Sequence, residues 1–132
     1  MQRLLLAACI LLAAQAHAAS PDWHTVPGEE RLELALGSVD MQGSRVAALL
    51  RAPAGVIHLA GDKRSRRATR VVVLADFDCA SRTVQLLSLV AYDRGGRPLS
   101  STGAPGATAV LDRDDPLLAA YDALCELARD RR

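Results

Sequence analysis

Aromatic side chains are scarce in this sequence of 132 residues, which contains one tryptophan, two tyrosines and one phenylalanine. Large rings bury more area than other side chains, so their scarcity limits the ways in which a core can be built. We therefore expect a core filled by leucine, valine and alanine. The single tryptophan, Trp23, is expected to plug that core and not to serve as a platform for a ligand.

The sequence also lacks the common motifs of catalysis and metal binding. It has no C-x-x-C, H-E-x-x-H or G-x-S-x-G pattern. Segment 100–107 lacks the lysine of a phosphate-binding loop, and the acidic segment 112–115 lacks the spacing of a calcium loop. Asp76 and Asp78 share one face of a predicted strand, and we interpret them as solvated carboxylates. We predict that the protein is not an enzyme and has neither a cofactor nor a metal site.

No apolar run in the sequence is long enough to cross a membrane as a helix. The longest run, Leu4–Ala14, follows Arg3 and precedes an A-x-A sequence that ends at Ala18. A basic start, a short apolar run and small residues before the cut are typical of an export signal. We predict a signal peptide over residues 1–18, cleaved between Ala18 and Ala19.

The rest of the chain, residues 19–132, is predicted to form one domain. The sequence has 16 basic and 15 acidic residues, and only Arg3 would leave with the signal peptide, so this domain is neutral. A neutral domain lacks the general attraction that nucleic acid requires. We expect an exported protein, either periplasmic or at the cell surface. Lipidation at Cys9, after Leu-Ala-Ala, is the alternative to cleavage at Ala18.

Two cysteines, Cys79 and Cys125, remain in the predicted domain. Export places them in a compartment that allows oxidation, so we predict one disulfide between them. It would close a loop of about 45 residues and stabilise the fold by about 4 kcal/mol in the chain-entropy model. Two free, buried thiols are the alternative.

Segment 70–93 contains two apolar runs joined by a short polar turn, which predicts a central β-hairpin. Alternate residues of 71–79 share one face with Cys79, so its sulfur is expected on the packed side. The returning run, Thr83–Tyr92, is apolar on both faces, and we expect it to be covered on both sides. The apolar run Arg45–Arg51 is predicted to be a further strand and not a helical turn, because it is short and proline follows.

The end of the chain predicts an amphipathic helix. Asp115 is a suitable N-cap, and Pro116 suits the first helical position. Five residues recur at helical spacing on one apolar face: Leu117, Tyr121, Leu124, Cys125 and Ala128. This face would bring the second cysteine to the hairpin.

A basic run precedes the hairpin and consists of Lys63, Arg64, Arg66, Arg67 and Arg70. One interpretation is a binding site for an anion or a partner, because clustered positive charge attracts phosphate and sulfate groups. The other is a solvated edge, whose charges keep sheets of neighbouring molecules apart.

Several of these features occur together in a known family. Trp23 lies near the predicted start of the domain, Phe77-Asp78-Cys79 follows the basic run, and Tyr92-Asp93 is followed by Gly96. With the C-terminal helix and its cysteine, this pattern resembles the surface-adhesin protein E-like domain family of bacterial exported proteins, over about residues 21 to 128. The resemblance implies an α+β fold with a curved antiparallel sheet of about six strands, packed by one C-terminal helix and joined to it by a disulfide.

Two functions are compatible with these features. The first is an exported, non-enzymatic binding domain, which engages an unidentified protein or an anionic polymer of the envelope or matrix through the sheet and the basic run. The second is a structural or assembly component of the cell envelope with no adhesive role, in the form of a homodimer that pairs edge strands. The presence of Lys63 as the only lysine sets the chain apart from a lysine-based adhesin.

Overall fold

The computed structural model describes residues 21–57, 67–103 and 105–131, which form eight β-strands and one α-helix. The strands are β1 (Trp23–Val26), β2 (Glu29–Ala35), β3 (Asp40–Gln42), β4 (Arg45–Pro53), β5 (Arg70–Asp78), β6 (Thr83–Tyr92), β7 (Pro98–Thr102) and β8 (Ala109–Val110). The helix, α1, is Leu117–Asp130, and a 3₁₀ helix, Leu36–Ser38, lies between β2 and β3. The residues of the predicted signal peptide, Cys9 and Ala18 among them, lie outside the described residues, as does Ala19.

All strands join one antiparallel sheet in the order β1-β2-β4-β5-β6-β7. The short strands do not lengthen this path, because β3 pairs with β4 beside β2, and β8 pairs with β6 beside β7. The sheet is therefore six strands wide, with two of its positions each shared by two strands. The predicted fold class, an antiparallel sheet of about six strands with one C-terminal helix, is confirmed.

The centre of the sheet is the long pairing of β4, β5 and β6. The register of β4 with β5 runs without interruption from Arg45 opposite Asp78 to Pro53 opposite Arg70. Alternation along β5 places Val71, Val73, Ala75 and Phe77 on one face, as predicted, and all four side chains are fully buried. Arg45–Arg51 forms a strand, as predicted from its length and the proline beyond it.

β6 contains a β-bulge, which changes the side chains that face the core. Leu74 lies opposite Ser88 while Ala75 lies opposite Leu86, so Leu87 is the extra residue. After the bulge, Leu89 is the inward residue, and Leu87 is half-buried on the strand. The other face of β6 is half-buried, at Val90 among others, so the expected cover on both sides of this strand is only partial.

One face of the sheet packs against α1, which contacts β1, β2 and β4. The buried helix residues are Leu117, Ala120, Leu124, Cys125 and Ala128, so the predicted face is correct apart from the addition of Ala120 and the half-buried Tyr121. The carboxylate of Asp115 accepts a hydrogen bond from the Leu117 N–H at 2.9 Å, as predicted for a helix cap.

Candidate functional site

A disulfide joins the hairpin to the helix. The sulfurs of Cys79 and Cys125 are bonded, and their Cα atoms are 5.7 Å apart. Cys79 directly follows β5 and Cys125 lies on the buried face of α1. The predicted pairing is therefore confirmed, and neither cysteine is available as a nucleophile or a metal ligand while the bond is intact.

Tyr121 reinforces this connection from the helix. Its hydroxyl donates a hydrogen bond to the carbonyl oxygen of Cys79 at 2.9 Å. Its ring meets that of Phe77 edge-on, with 6.3 Å between the ring centroids. Two of the four aromatic residues are therefore used to fix the helix on the hairpin.

Asp76 and Asp78 are structural residues and not solvated carboxylates, which corrects the prediction from sequence. The side chain of Asp76 is 14% exposed and pairs with Arg45, whose Nε lies 3.0 Å from Oδ2. Asp78 accepts hydrogen bonds from the Ala80 N–H at 2.9 Å and the Ser44 hydroxyl at 3.1 Å. These bonds, the one from Ala80 foremost, lower the pKa of Asp78.

The basic run is described only in part. Lys63, Arg64 and Arg66 lie outside the described residues, whereas Arg67 and Arg70 are exposed at the start of β5. The described part of the predicted site therefore lies at the end of the sheet where β5 starts.

The structure brings two further arginines to this end. Because β5 and β6 are antiparallel, Arg70 lies opposite Tyr92, the last residue of β6. The turn to β7 follows at once, and it carries the exposed Arg94 and Arg97. We call Arg67, Arg70, Arg94 and Arg97 the arginine end.

The turn within the arginine end has a defined conformation. The Asp93 N–H donates to the carbonyl oxygen of Arg97 at 3.0 Å, and the Arg97 N–H donates to the Asp93 carboxylate at 2.9 Å. Gly96 takes a φ of 80°, which favours glycine. The turn is bonded to itself in this way, so the side chains of Arg94 and Arg97 start from a fixed backbone.

A shallow cavity of about 340 Å³ opens beside this turn. Its lining residues are Arg67, Thr69, Asp93, Arg94 and Gly95. Sequence reasoning missed Arg94 and Arg97 as site residues. The hairpin prediction could have found them, because a hairpin places the residues before its first strand next to those after its second strand.

Trp23 is not a core residue, and the prediction that it plugs the core is wrong. Its backbone lies opposite Ala35 in the β1–β2 pairing, and its side chain is half-buried. The guanidinium carbon of Arg51 lies 4.5 Å from the centroid of its ring, a cation–π contact. Arg51 also pairs with both carboxylate oxygens of Glu33, at 3.1 and 2.7 Å.

Among the described residues, no group of three or more His, Cys, Asp and Glu side chains is placed to hold a metal ion. No helix in the described part of the chain is long and apolar enough to cross a membrane.

The fold and its disulfide define a class of protein: an open antiparallel sheet bonded to a C-terminal helix through one disulfide. No family model matches the chain, and no curated protein matches it. Solved structures do match, and structures of protein E from Haemophilus influenzae are among them.

Crystal form II of protein E superposes with a TM-score of 0.59 at 15% sequence identity, covering 83% of this chain and 95% of that chain. A second protein E structure gives a TM-score of 0.55 at 15% identity, covering 83% and 92%. Protein E from non-typeable Haemophilus influenzae gives 0.56 at 15% identity, covering 85% and 84%. The chain therefore has the protein E fold, and the resemblance drawn from its sequence is confirmed at the level of architecture.

Proposed function

We propose that this chain is an exported, non-enzymatic binding domain, and that its arginine end engages an anionic polymer of the envelope or matrix or an acidic protein. One observation carries the proposal. Arg94 and Arg97 are placed by the fold beside Arg67 and Arg70, although Arg70 and Arg94 are 24 positions apart in the sequence.

The chemistry of the arginine end supports an anionic ligand. A guanidinium presents several donors in a planar fork that matches sulfate, phosphate and carboxylate groups. The one carboxylate that lines the cavity, Asp93, accepts the Arg97 N–H and so has a structural role in the turn. The run that leads into β5 adds Lys63, Arg64 and Arg66 in sequence.

The predicted export signal and the disulfide support a surface or periplasmic setting for such a domain, because disulfides persist in oxidising compartments. The proposal does not depend on any ligand of protein E.

Heparin, as a sulfated probe, tests the arginine end. We expect the oxidised domain to bind heparin in low salt, and R94A/R97A to bind about tenfold more weakly, because two exposed ionic contacts are lost. Binding of the unmodified domain should weaken as salt rises. Isothermal titration calorimetry at several salt concentrations would measure both effects.

The matched control is R113A/R129A, which removes two exposed arginines away from the arginine end. We expect its heparin affinity to stay close to that of the unmodified domain. If both double variants bound heparin equally weakly, the loss of affinity would follow from net charge alone, and the proposal would be contradicted.

A structural or assembly role is the second candidate, and one observation favours it. β7 is the last strand of the sheet and pairs only with β6 among the described residues, and it contains no charged residue. An edge without charges can accept a strand from a second copy. We propose, as the second candidate, a homodimer that pairs β7 edges.

Sedimentation velocity tests the homodimer. A dimer at tens of micromolar that becomes monomeric in S101P, where proline removes a backbone donor from the edge, would support it. The control substitution is Ser101→Thr, which keeps the N–H. A single monomeric species at these concentrations would exclude edge pairing as the function.

A further inference from the structure

A groove separates the β1–β2 turn from the outward side of α1. Its volume is about 630 Å³. The turn approaches the helix closely at Gly28, where an added Cβ would lie 4.0 Å from the Cβ of Ala119. Every residue that lines this groove belongs to the described part of the chain, and the groove lies on residues other than those of the arginine end.

The floor of the groove is apolar. It is formed by helix residues that are half-buried and so still offer apolar surface: Leu118, Ala119, Ala123 and Leu127. Leu118 and Ala119 also pack against the core, whereas Ala123 and Leu127 are outside the core cluster. α1 therefore has a second, narrower apolar strip beside the face that it buries on the sheet.

One wall of the groove is a row of carboxylates. Asp122, Glu126 and Asp130 follow each other at intervals of four residues along α1, and all three are exposed. None of the three forms a salt bridge with another described residue. Arg129 lines the cavity on the disulfide side of the helix, which Asp122 and Glu126 also line, but it forms no salt bridge with either of them and does not line this groove.

The remaining charges of the groove do not balance this row. Glu29 is held by Arg31 at 2.7 Å, and the Asp115 carboxylate caps the helix. Asp114 adds a further exposed carboxylate to the groove. Arg113 is the one basic residue in the lining. The groove is therefore apolar at its floor and negative at its wall.

The placement of the row is unfavourable for the helix itself. Like charges four residues apart repel each other, and a carboxylate near the C-terminus, such as Asp130, opposes the helix dipole. An arrangement that breaks a local rule, with no compensating contact inside the described molecule, is a common mark of a functional surface. Positive charge on a bound partner would offset the repulsion between these three carboxylates.

We propose that this groove binds a cationic, amphipathic peptide segment of a partner protein. The apolar side of the segment lies on Ala123 and Leu127, and its lysine or arginine side chains meet Asp122, Glu126 and Asp130. This inference goes beyond the function proposed for the arginine end and does not rest on it.

The spacing of the row fits such a segment. Residues four apart on a helix are about 6 Å apart along its axis, so the row covers about 12 Å. Basic residues four apart on a partner helix, or two apart on an extended segment, repeat at about the same distance. The arginine end of a second copy fits less well, because its turn, Asp93–Arg97, carries no apolar side chain for the floor.

A designed peptide tests the inference on the purified, oxidised protein. The probe is a labelled 14-residue helix with a leucine stripe and arginines at four-residue spacing, and its counterpart has glutamates in place of the arginines. In fluorescence anisotropy at low salt we expect the arginine peptide to bind and the glutamate peptide to fail. D122N/E126Q/D130N should weaken binding of the arginine peptide about tenfold.

The matched control is D22N/E30Q/D40N, which removes three exposed carboxylates outside the groove and should change the affinity by less than about twofold. A second measurement uses the unmodified protein, in which saturating peptide should shift the amide NMR signals of Ala123, Leu127 and the β1–β2 turn. Equal loss of affinity in both triple variants, equal binding of the glutamate peptide, or shifts confined to other faces would overturn the inference. Groove signals that move with protein concentration alone would overturn it too, by assigning the groove to a second copy.

Discussion

At the scale of single residues, Asp78 helps to fix the backbone around Cys79, the first cysteine of the disulfide. Its carboxylate accepts the Ala80 N–H and the Ser44 hydroxyl, and the Cys79 N–H donates to the Ser44 carbonyl oxygen at 2.8 Å. These bonds connect the end of β5 to the residue that precedes β4. Asp78 thereby fixes the chain on both sides of Cys79.

The lowered pKa of Asp78 predicts how stability changes with pH. The hydrogen bond from Ala80 and that from Ser44 favour the ionised carboxylate in the folded state, so the folded pKa lies below the ordinary 3.8. The stabilising contribution is fully present above 3.8 and is lost as pH falls through the folded pKa. We expect D78N to be less stable than the unmodified domain at neutral pH, and the difference to shrink below 3.8. Urea unfolding at a series of pH values measures it.

The control for this substitution is D112N, since Asp112 is exposed and its carboxylate accepts no hydrogen bond from another described residue. We expect D112N to lose less stability than D78N at neutral pH, because it removes no such hydrogen bond. A stability difference for D78N that does not change between neutral and strongly acidic pH would contradict the assigned role.

Trp23 shows where residue-scale prediction fails. A lone tryptophan in an apolar sequence favours burial, but β1 is short and takes its register from β2. That register places Trp23 where Arg51 reaches its ring, and Arg51 in turn pairs with Glu33. The three residues come from three strands, so their contact follows from the completed sheet and not from any local pattern.

At the scale of elements, the hairpin and the helix could be predicted because their signals are local. The β5 alternation, the cap at Asp115 and the helical spacing of Leu117, Leu124 and Ala128 each lie within a few residues of sequence. The β6 bulge could not be predicted. The single extra residue, Leu87, shifts every later side chain of β6 to the opposite face of the sheet. In a run of apolar residues, no sequence feature indicates which residue will be the extra one.

The disulfide is the strongest single connection between these two elements. Cys79 and Cys125 are 46 positions apart, and a closed loop of that length stabilises the fold by about 4 kcal/mol in the chain-entropy model. We expect C79A/C125A to lose about this much unfolding free energy, measured by guanidinium denaturation. A domain's net stability is about 5–15 kcal/mol, so the loss is a large share of it.

Reduction provides the control for this substitution, because it opens the bond without changing the sequence. A reductant should bring the unmodified domain close to the stability of C79A/C125A and leave the double variant unchanged. If the double variant were as stable as the oxidised domain, packing and not the disulfide would hold α1 on the sheet.

At the scale of the whole molecule, the neutral composition conceals a separation of charge. The arginine end lies where β5 begins and β6 ends, whereas the carboxylate row lies along α1. Sequence alone identified half of the arginine end, because Arg67 and Arg70 are part of a continuous run. Arg94 and Arg97 could be added only once strand pairing had brought a distant turn beside that run.

The location of the whole molecule depends on its N-terminus, which yields the last prediction. The run Leu4–Ala14 continues through Cys9, so Cys9 lies inside the apolar part of the signal and not at its end. We expect the exported protein to begin at Ala19 with no lipid, as measured by intact mass. Ala18→Asp should block cleavage, because the site requires small residues, and Cys9→Ser should leave the mass unchanged. A lipid-modified N-terminal Cys9 would instead mean a membrane-anchored protein, with the arginine end presented near a lipid surface.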